Sequence, residues 1–448
     1  MEAATLIVVL VIVLALFFDF TNGFHDTANA MATPIATGAL KPKVAVLLAA
    51  SLNLVGAFLS TEVSKTISHG IIREDQISPA AFLPLIFAGL IGAITWNMLT
   101  WLLGLPSSSS HALFGGLIGA TLVGVGAAAI DFGEVLSKVV LPALIAPFTA
   151  GVIAFLATRF AYLLTRRYDS KPDGRDGFRW GQIFTSSLVA LAHGTNDAQK
   201  TMGVITLALI MAGLQNPEQA DPHLWVIFAC AFTIALGTYM GGWRIIRTLG
   251  KGLTDVKPAQ GFSAESSTAA TILASSAFGF ALSTTQVASG SVIGSGLGRR
   301  GSKVRWRTVG RIGVGWLLTL PAAGAVGAFA ALIVVWLGMW GILIDAVLAV
   351  VVVVGMFWRS RRNQVTASNA MSEVADSGLA VKVKRNPPPT RRQRRILREE
   401  ARRRAEEEAR RKADAKAKAK VEARRLAEER AQADASARGA RGGKGGAK

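Results

Sequence analysis

Cysteine is almost absent from this 448-residue sequence: Cys230 stands alone in an apolar run, so no internal disulfide can form and the redox compartment is not legible. Its expected role is packing. Charge is scarce too, at 17% against 51% apolar residues, which argues against an ordinary soluble domain. The N-terminus lacks a basic n-region and an A-x-A cleavage site, so the first apolar run reads as a span and not as a removed signal. No P-loop, zinc-ligand cluster or nucleophile elbow is found. An enzyme is therefore the weakest reading, and nothing suggests a chain that hydrolyses its own ATP.

What the sequence does contain is uncharged stretches long enough to cross roughly 30 Å of hydrocarbon. They are 81–105, 112–130, 139–158, 224–243, 266–298 and 312–344. The last two have 33 residues each, so each is expected to be a helix pair or a re-entrant hairpin. The predicted fold is an all-α polytopic membrane protein with about ten to twelve membrane segments.

The formal net charge of +20 is concentrated at one end. Residues 359–448 hold 27 Lys+Arg against 12 Asp+Glu, leaving 22 against 17 for residues 1–358. This tail, with "RRQRRILREEARRRAEEEARR" at its centre and "GARGGKGGAK" at its end, reads as a solvated, partly helical and partly disordered arm. The positive-inside rule places it in the cytoplasm, with the six basic residues of "RRGSKVRWRTVGR" on the same side. "GMWG" near residue 340 then becomes an outer turn, and Asp345 is expected close to it. The arm lacks the interleaved aromatics of a stacking platform, so any contact with nucleic acid or anionic lipid would be nonspecific and salt-sensitive.

Internal repetition is the most informative feature. "HDTANAM" at His25 aligns with "NDAQKTM" at Asn196, "KTISHGI" at Lys65 with "RTLGKGL" at Arg247, and "SSSHALFGGLIG" at Ser108 with "STTQVASGSVIG" at Ser283. Three matches in one order imply two related halves, 1–164 and 181–358, joined by a hydrophilic linker over 165–180 and followed by the tail from 359. If each half crosses an odd number of times, the halves are inverted and the site lies between them.

Asp26 and Asp197 sit in apolar surroundings where a carboxylate costs roughly 2.5–3.5 kcal/mol. With Gly23, Pro34, Gly194 and Gly203 nearby, both copies suggest helices broken around an internal site; capping at a water interface is the blander alternative. Ser107, Ser108, Ser109 and Ser110, and likewise Ser283, Thr284 and Thr285, precede apolar Gly-rich runs where helices should start. A helix N-terminus with added hydroxyls is a cradle for an oxyanion, although simple capping would need only one of them. Carboxylates beside such a cradle can hold a driving cation or accept a proton, which favours phosphate over fully ionised sulfate. His25, His111 and His193 flank these motifs as proton relays or as satisfied hydrogen-bonding partners, Glu265 is balanced between a functional and a capping role, and His69 and His223 read as loop residues.

Together "NGFHDTANA", "HGTNDAQK", "VSKTISHGI", "GTYMGGWRIIRTLG", "PAQGFSAESS" and the Ser/Thr loops resemble the PiT family of inorganic phosphate transporters, especially its bacterial low-affinity branch, over about residues 10 to 300. The resemblance implies phosphate import across the plasma membrane by cation symport, with inverted repeats and re-entrant Ser/Thr hairpins. It assigns Asn22, Asp26, Asn29, Asn196 and Asp197 to the cation and substrate region, and Ser107 to Ser110 with Ser283 to Thr285 to phosphate. No cofactor is implied beyond H⁺ or Na⁺, with a divalent metal travelling as metal-phosphate. Besides phosphate the partners are membrane lipid, and a homo-oligomer is left open. Sodium-coupled relatives resemble D-x-x-N in both halves; here the second copy is D-A-Q-K and ends in Lys200, which suggests that an ammonium takes the place of a bound cation and that protons drive transport. Lys200 is also a substrate-binding candidate, able to pair with Asp197 or phosphate, and snorkelling to the interface is the blander alternative. The competing readings are a sulfate-proton symporter of the same fold, and a membrane anchor whose basic arm binds nucleic acid or lipid.

Overall fold

The computed structural model describes residues 2–370, apart from 69–70, 74–75, 166–175, 219–220, 363 and 368–369. His69, most of the linker and the tail beyond residue 370 lie outside the described residues. Those described belong to one compact unit, Met1–Val383.

The described residues are nearly all helical. In chain order the helices are α1 (Glu2–Ala36), α2 (Pro42–Gly56), α3 (Glu62–Ser68), α4 (Pro79–Leu103), α5 (Ser109–Gly124), α6 (Phe132–Val135), α7 (Leu141–Thr165), α8 (Asp176–Met211), α9 (Leu224–Met240), α10 (Trp243–Arg247), α11 (Pro258–Ala277), α12 (Thr284–Gly298), α13 (Trp306–Leu337) and α14 (Met339–Arg361). Among the described residues, five continuous helical stretches are long and apolar enough to cross a membrane: Thr5–Ala36, Ala81–Leu103, Phe132–Thr165, Trp306–Leu337 and Met339–Arg361. Taken as one broken span, Leu224–Met240 with Trp243–Gly252, bent by 57°, brings the number to six. The larger sequence-based count also included segments that prove short, such as α5, or polar, such as α12. The two 33-residue apolar runs are indeed pairs: 266–298 breaks between α11 and α12, and 312–344 breaks at Gly338 between α13 and α14.

The helix breaks are not where the Asp motifs suggested. Asp26 lies within the continuous 35-residue α1, and Asp197 within the 36-residue α8. Gly23 and Gly194 serve contact and not unwinding: a methyl on Gly23 would strike the Ile234 carbonyl of α9, and one on Gly194 the Asn53 carbonyl of α2. Pro34 falls two residues before the end of α1; it withholds one N–H from the last turn, yet the helix runs past it to Ala36. The breaks come instead at 104–108, before α5, and at 278–283, before α12.

Packing is interleaved. α1 packs on α9 and α2 on α8; α5 packs on α13 and α12 on α7. Small residues allow the last two contacts, since a methyl at Gly119 would run into the Gly324 carbonyl and one at Gly294 into the Gly151 carbonyl. Two isolated bridges, Ile72 with Ile130 and Thr254 with Val304, fasten the segments after "KTISHGI" and "RTLGKGL" in the same way. Large exposed apolar side chains such as Phe148, Leu317 and Trp336 cover α7 and α13, as expected of surfaces that face lipid.

Candidate functional site

The Asp26 carboxylate is the hub. Its Oδ1 lies 2.7 Å from His25 Nδ1 and accepts the Thr285 hydroxyl at 3.0 Å. Its Oδ2 accepts from Ser109 at 3.0 Å and Thr284 at 3.4 Å. Thus the first turns of α5 and α12, remote in sequence, converge on one carboxylate of α1. Each of those helices is capped by the preceding serine: Ser108 accepts the His111 N–H at 3.2 Å and Ser283 the Gln286 N–H at 3.3 Å, which frees the next hydroxyls for other partners. Both helices therefore bring the positive ends of their dipoles to the same place.

Asp197 of α8 faces the same point. Thr284 donates to its Oδ2 at 3.0 Å, and His193 Nε2 lies 2.7 Å from that oxygen and 3.8 Å from Asp26 Oδ2. Lys200, one turn along, pairs with Asp197 Oδ1. Its ammonium also donates to the Leu282 carbonyl at 3.2 Å, just ahead of the α12 cap, and Ser110 reaches the same carbonyl at 3.4 Å. Asn29 donates to Thr285 at 3.0 Å. Asp26, Asp197, His193 and Lys200 are all at most 2% exposed. Asp26, His193 and Asp197 offer ligand atoms within 4.8 Å of one another, a donor set suited to a cation.

Other candidates lie around or away from this point. Ser107 sits behind His25, 3.3 Å from Nε2 and 2.7 Å from the Thr100 hydroxyl. The Asn22 amide and Asn29 Oδ1 are buried and, among the described residues, unpartnered. Asn196 turns to Ser276 at 2.9 Å and the Phe280 carbonyl, and His111 turns to the Val139 backbone. Glu265 stands apart, bonded by Thr33, by Thr185 at 2.9 Å and by Gln182 at 3.2 Å. Cys230 is buried in the packed core, as expected. Asp345 is buried in the second turn of α14.

Sequence reasoning missed Asp19, whose Oδ1 accepts the Thr201 hydroxyl at 3.0 Å. The available signal was an ionisable residue inside an apolar run; Asp19 falls just after "LALFF" and before the conspicuous motif at Asn22. It also missed Gln199, which accepts the Val63 and Ser64 N–H groups at the start of α3.

A profile of the phosphate transporter family matches residues 22–327. The chain belongs to that family. It is 53% identical over 374 residues to a probable low-affinity inorganic phosphate transporter of Mycobacterium tuberculosis, covering 83% of this chain and 88% of that one. A Bacillus subtilis protein of the same description is 40% identical over 330 residues, covering 74% and 98%. A solved structure described as the sodium-dependent phosphate transporter superposes with a TM-score of 0.62 at 25% identity, covering 74% of this chain and 99% of that one. The chain is thus a multi-pass membrane transporter and not an enzyme, and the matched span holds every sequence-predicted site residue.

Proposed function

We propose that this phosphate transporter family member imports inorganic phosphate across the plasma membrane by proton symport, with the tail on the cytoplasmic side and the halves 1–164 and 181–358 working as inverted repeats. The observation that carries the reading is the convergence of Ser109, Thr284 and Thr285, from the N-termini of α5 and α12, on Asp26. Hydroxyls and helix dipoles so arranged suit an oxyanion, and the interleaved contacts of α5 with α13 and α12 with α7 support paired halves.

The coupling follows from competition. A phosphate entering this cradle needs the same hydroxyl donors that Asp26 now occupies, and two anions cannot share them without a compensating charge. A proton delivered to the Asp26–His25–His193 group removes that charge and releases the hydroxyls. Phosphate loading and proton loading are then one event. At Asp197 the Lys200 ammonium already supplies the second positive charge, which supports protons over Na⁺ as the driving ion. A divalent metal carried with phosphate would meet Asp26, His193 and Asp197 as cargo ligands.

Uptake of radiolabelled phosphate into proteoliposomes, with pH and Na⁺ gradients imposed separately, tests this. The expected result is uptake driven by the pH gradient, resisting excess sulfate and independent of Na⁺. Lys200→Asn should weaken the pH dependence and introduce a sodium dependence; if it does neither, the coupling argument fails. Competition by sulfate at equal strength would favour a sulfate carrier of the same fold. Loss of uptake on deleting residues 380–448 would favour a membrane anchor with a functional arm.

A further inference from the structure

We propose that Asp19 is a second proton-binding carboxylate of the transport cycle, distinct from the Asp26–Asp197 centre; this rests on the proton-symport reading. Asp19 is fully buried within the Thr5–Ala36 span. Among the described residues it has one hydrogen-bond donor, Thr201, and no ion pair, while its Oδ2 is buried without a partner. A bare carboxylate anion in such a place is expensive. The neutral acid, whose O–H can seek an acceptor, fits the site without that charge.

Its position ties it to the centre. Asp19 precedes Asp26 by seven residues, two helical turns or about 10 Å along the same face of α1. Thr201, its donor, adjoins Lys200 on α8. The titratable groups that act on it electrostatically are Asp197, His193 and Lys200 of α8 and the Cys230 thiol of α9; α4, also packed on α1, has no charged residue.

In the proposed step a hydronium ion on the loading side gives up one O–H bond and is left as water, while the proton forms a new O–H bond at Asp19 Oδ2. That bond breaks when the proton passes to water on the release side, leaving the carboxylate. Lys200 is the basic side chain that adjoins Thr201. Drawing its ammonium toward Asp19 would loosen it from Asp197 and from the Leu282 carbonyl, the residue before the α12 cap. Proton occupancy at Asp19 would thus reach the substrate cradle.

The test is the limiting phosphate accumulation of the reconstituted full chain under an imposed pH gradient, a ratio that does not depend on how much protein is inserted. Each coupled proton contributes about tenfold accumulation per pH unit. Asp19→Asn should lose about that factor, and Asp19→Glu, which keeps the carboxyl, should recover it. Accumulation by Asp19→Asn equal to the wild type overturns the assignment alone. A wild type indifferent to the pH gradient overturns the symport reading, and this inference with it. Should Asp19→Asn not fold, Thr201→Val decides: it removes the Thr201 hydroxyl that donates to Asp19 and should move the external pH of half-maximal uptake, whereas an unmoved midpoint refutes the proposal.

Discussion

Replacing Lys200 by Met removes the ammonium but retains most of the side-chain volume, so the consequence is chiefly electrostatic. Among the described residues, Asp197 is left fully buried with His193 Nε2 at 2.7 Å and the Thr284 hydroxyl at 3.0 Å. Removing one partner of a buried ion pair typically destabilises by about 3–5 kcal/mol. Because those two partners remain, the loss is expected near the lower end, about 3 kcal/mol, which is still a large share of a net stability of about 5–15 kcal/mol. Asp197→Asn combined with Lys200→Met removes both charges together and should restore most of the loss, since a neutral amide still bonds Thr284. The difference between the double variant and the sum of the singles then measures the pair itself. The assay is thermal unfolding of the purified proteins in one detergent at one scan rate, without phosphate. A Lys200→Met protein as stable as the wild type, or a double variant no better than Lys200→Met, would show that Lys200 does not compensate the buried charge of Asp197.

Thr285→Val deletes a donor to Asp26 and the nearer of two acceptors of Asn29 without changing shape; at about 1.5–3 kcal/mol for a hydrogen bond to a charged group, half-saturation for phosphate should rise about tenfold or more in uptake assays. Gly294→Val should abolish folding or halve the yield in size-exclusion chromatography, because the α12–α7 approach leaves no room, whereas Gly313→Ala and Gly355→Ala, with open space around them, should behave as wild type. Ser283→Ala removes the cap of α12 and should cost about 1 kcal/mol, seen as a lower unfolding midpoint, while affecting uptake less than Thr285→Val. Glu265→Gln keeps the shape of the Thr33, Gln182 and Thr185 cluster but cannot ionise, so a changed pH profile of uptake would assign it a proton role and an unchanged one a structural role.

Much of the candidate site could be read from the chain because the pattern was improbable. Carboxylates, amides and hydroxyl runs embedded in apolar segments are expensive unless used, and their repetition at Asp26 and Asp197, and at Ser108 and Ser283, singled them out. The same logic applied to Asp19, but one carboxylate beside a denser motif, with no counterpart in the other half, did not stand out. The inference of broken helices at the Asp motifs failed because glycine has two uses. It can end a helix or let two backbones approach, and Gly23 and Gly194 do the second against α9 and α2.

The sequence by itself determined the all-helical membrane class, the residues too polar for their surroundings and the places where helices start, since each depends on local composition, periodicity and capping. Only the tertiary structure decided which of those residues meet. Ser109 and Thr285 lie 83 and 259 residues from Asp26, and they reach it because small residues let α5 close on α13 and α12 on α7. Asn196 and Glu265 belong to motifs just as conspicuous, yet helix packing turns them to other partners. Spacing along a helix fixes which face a residue occupies, but the neighbour across that face is chosen by how the helices cross.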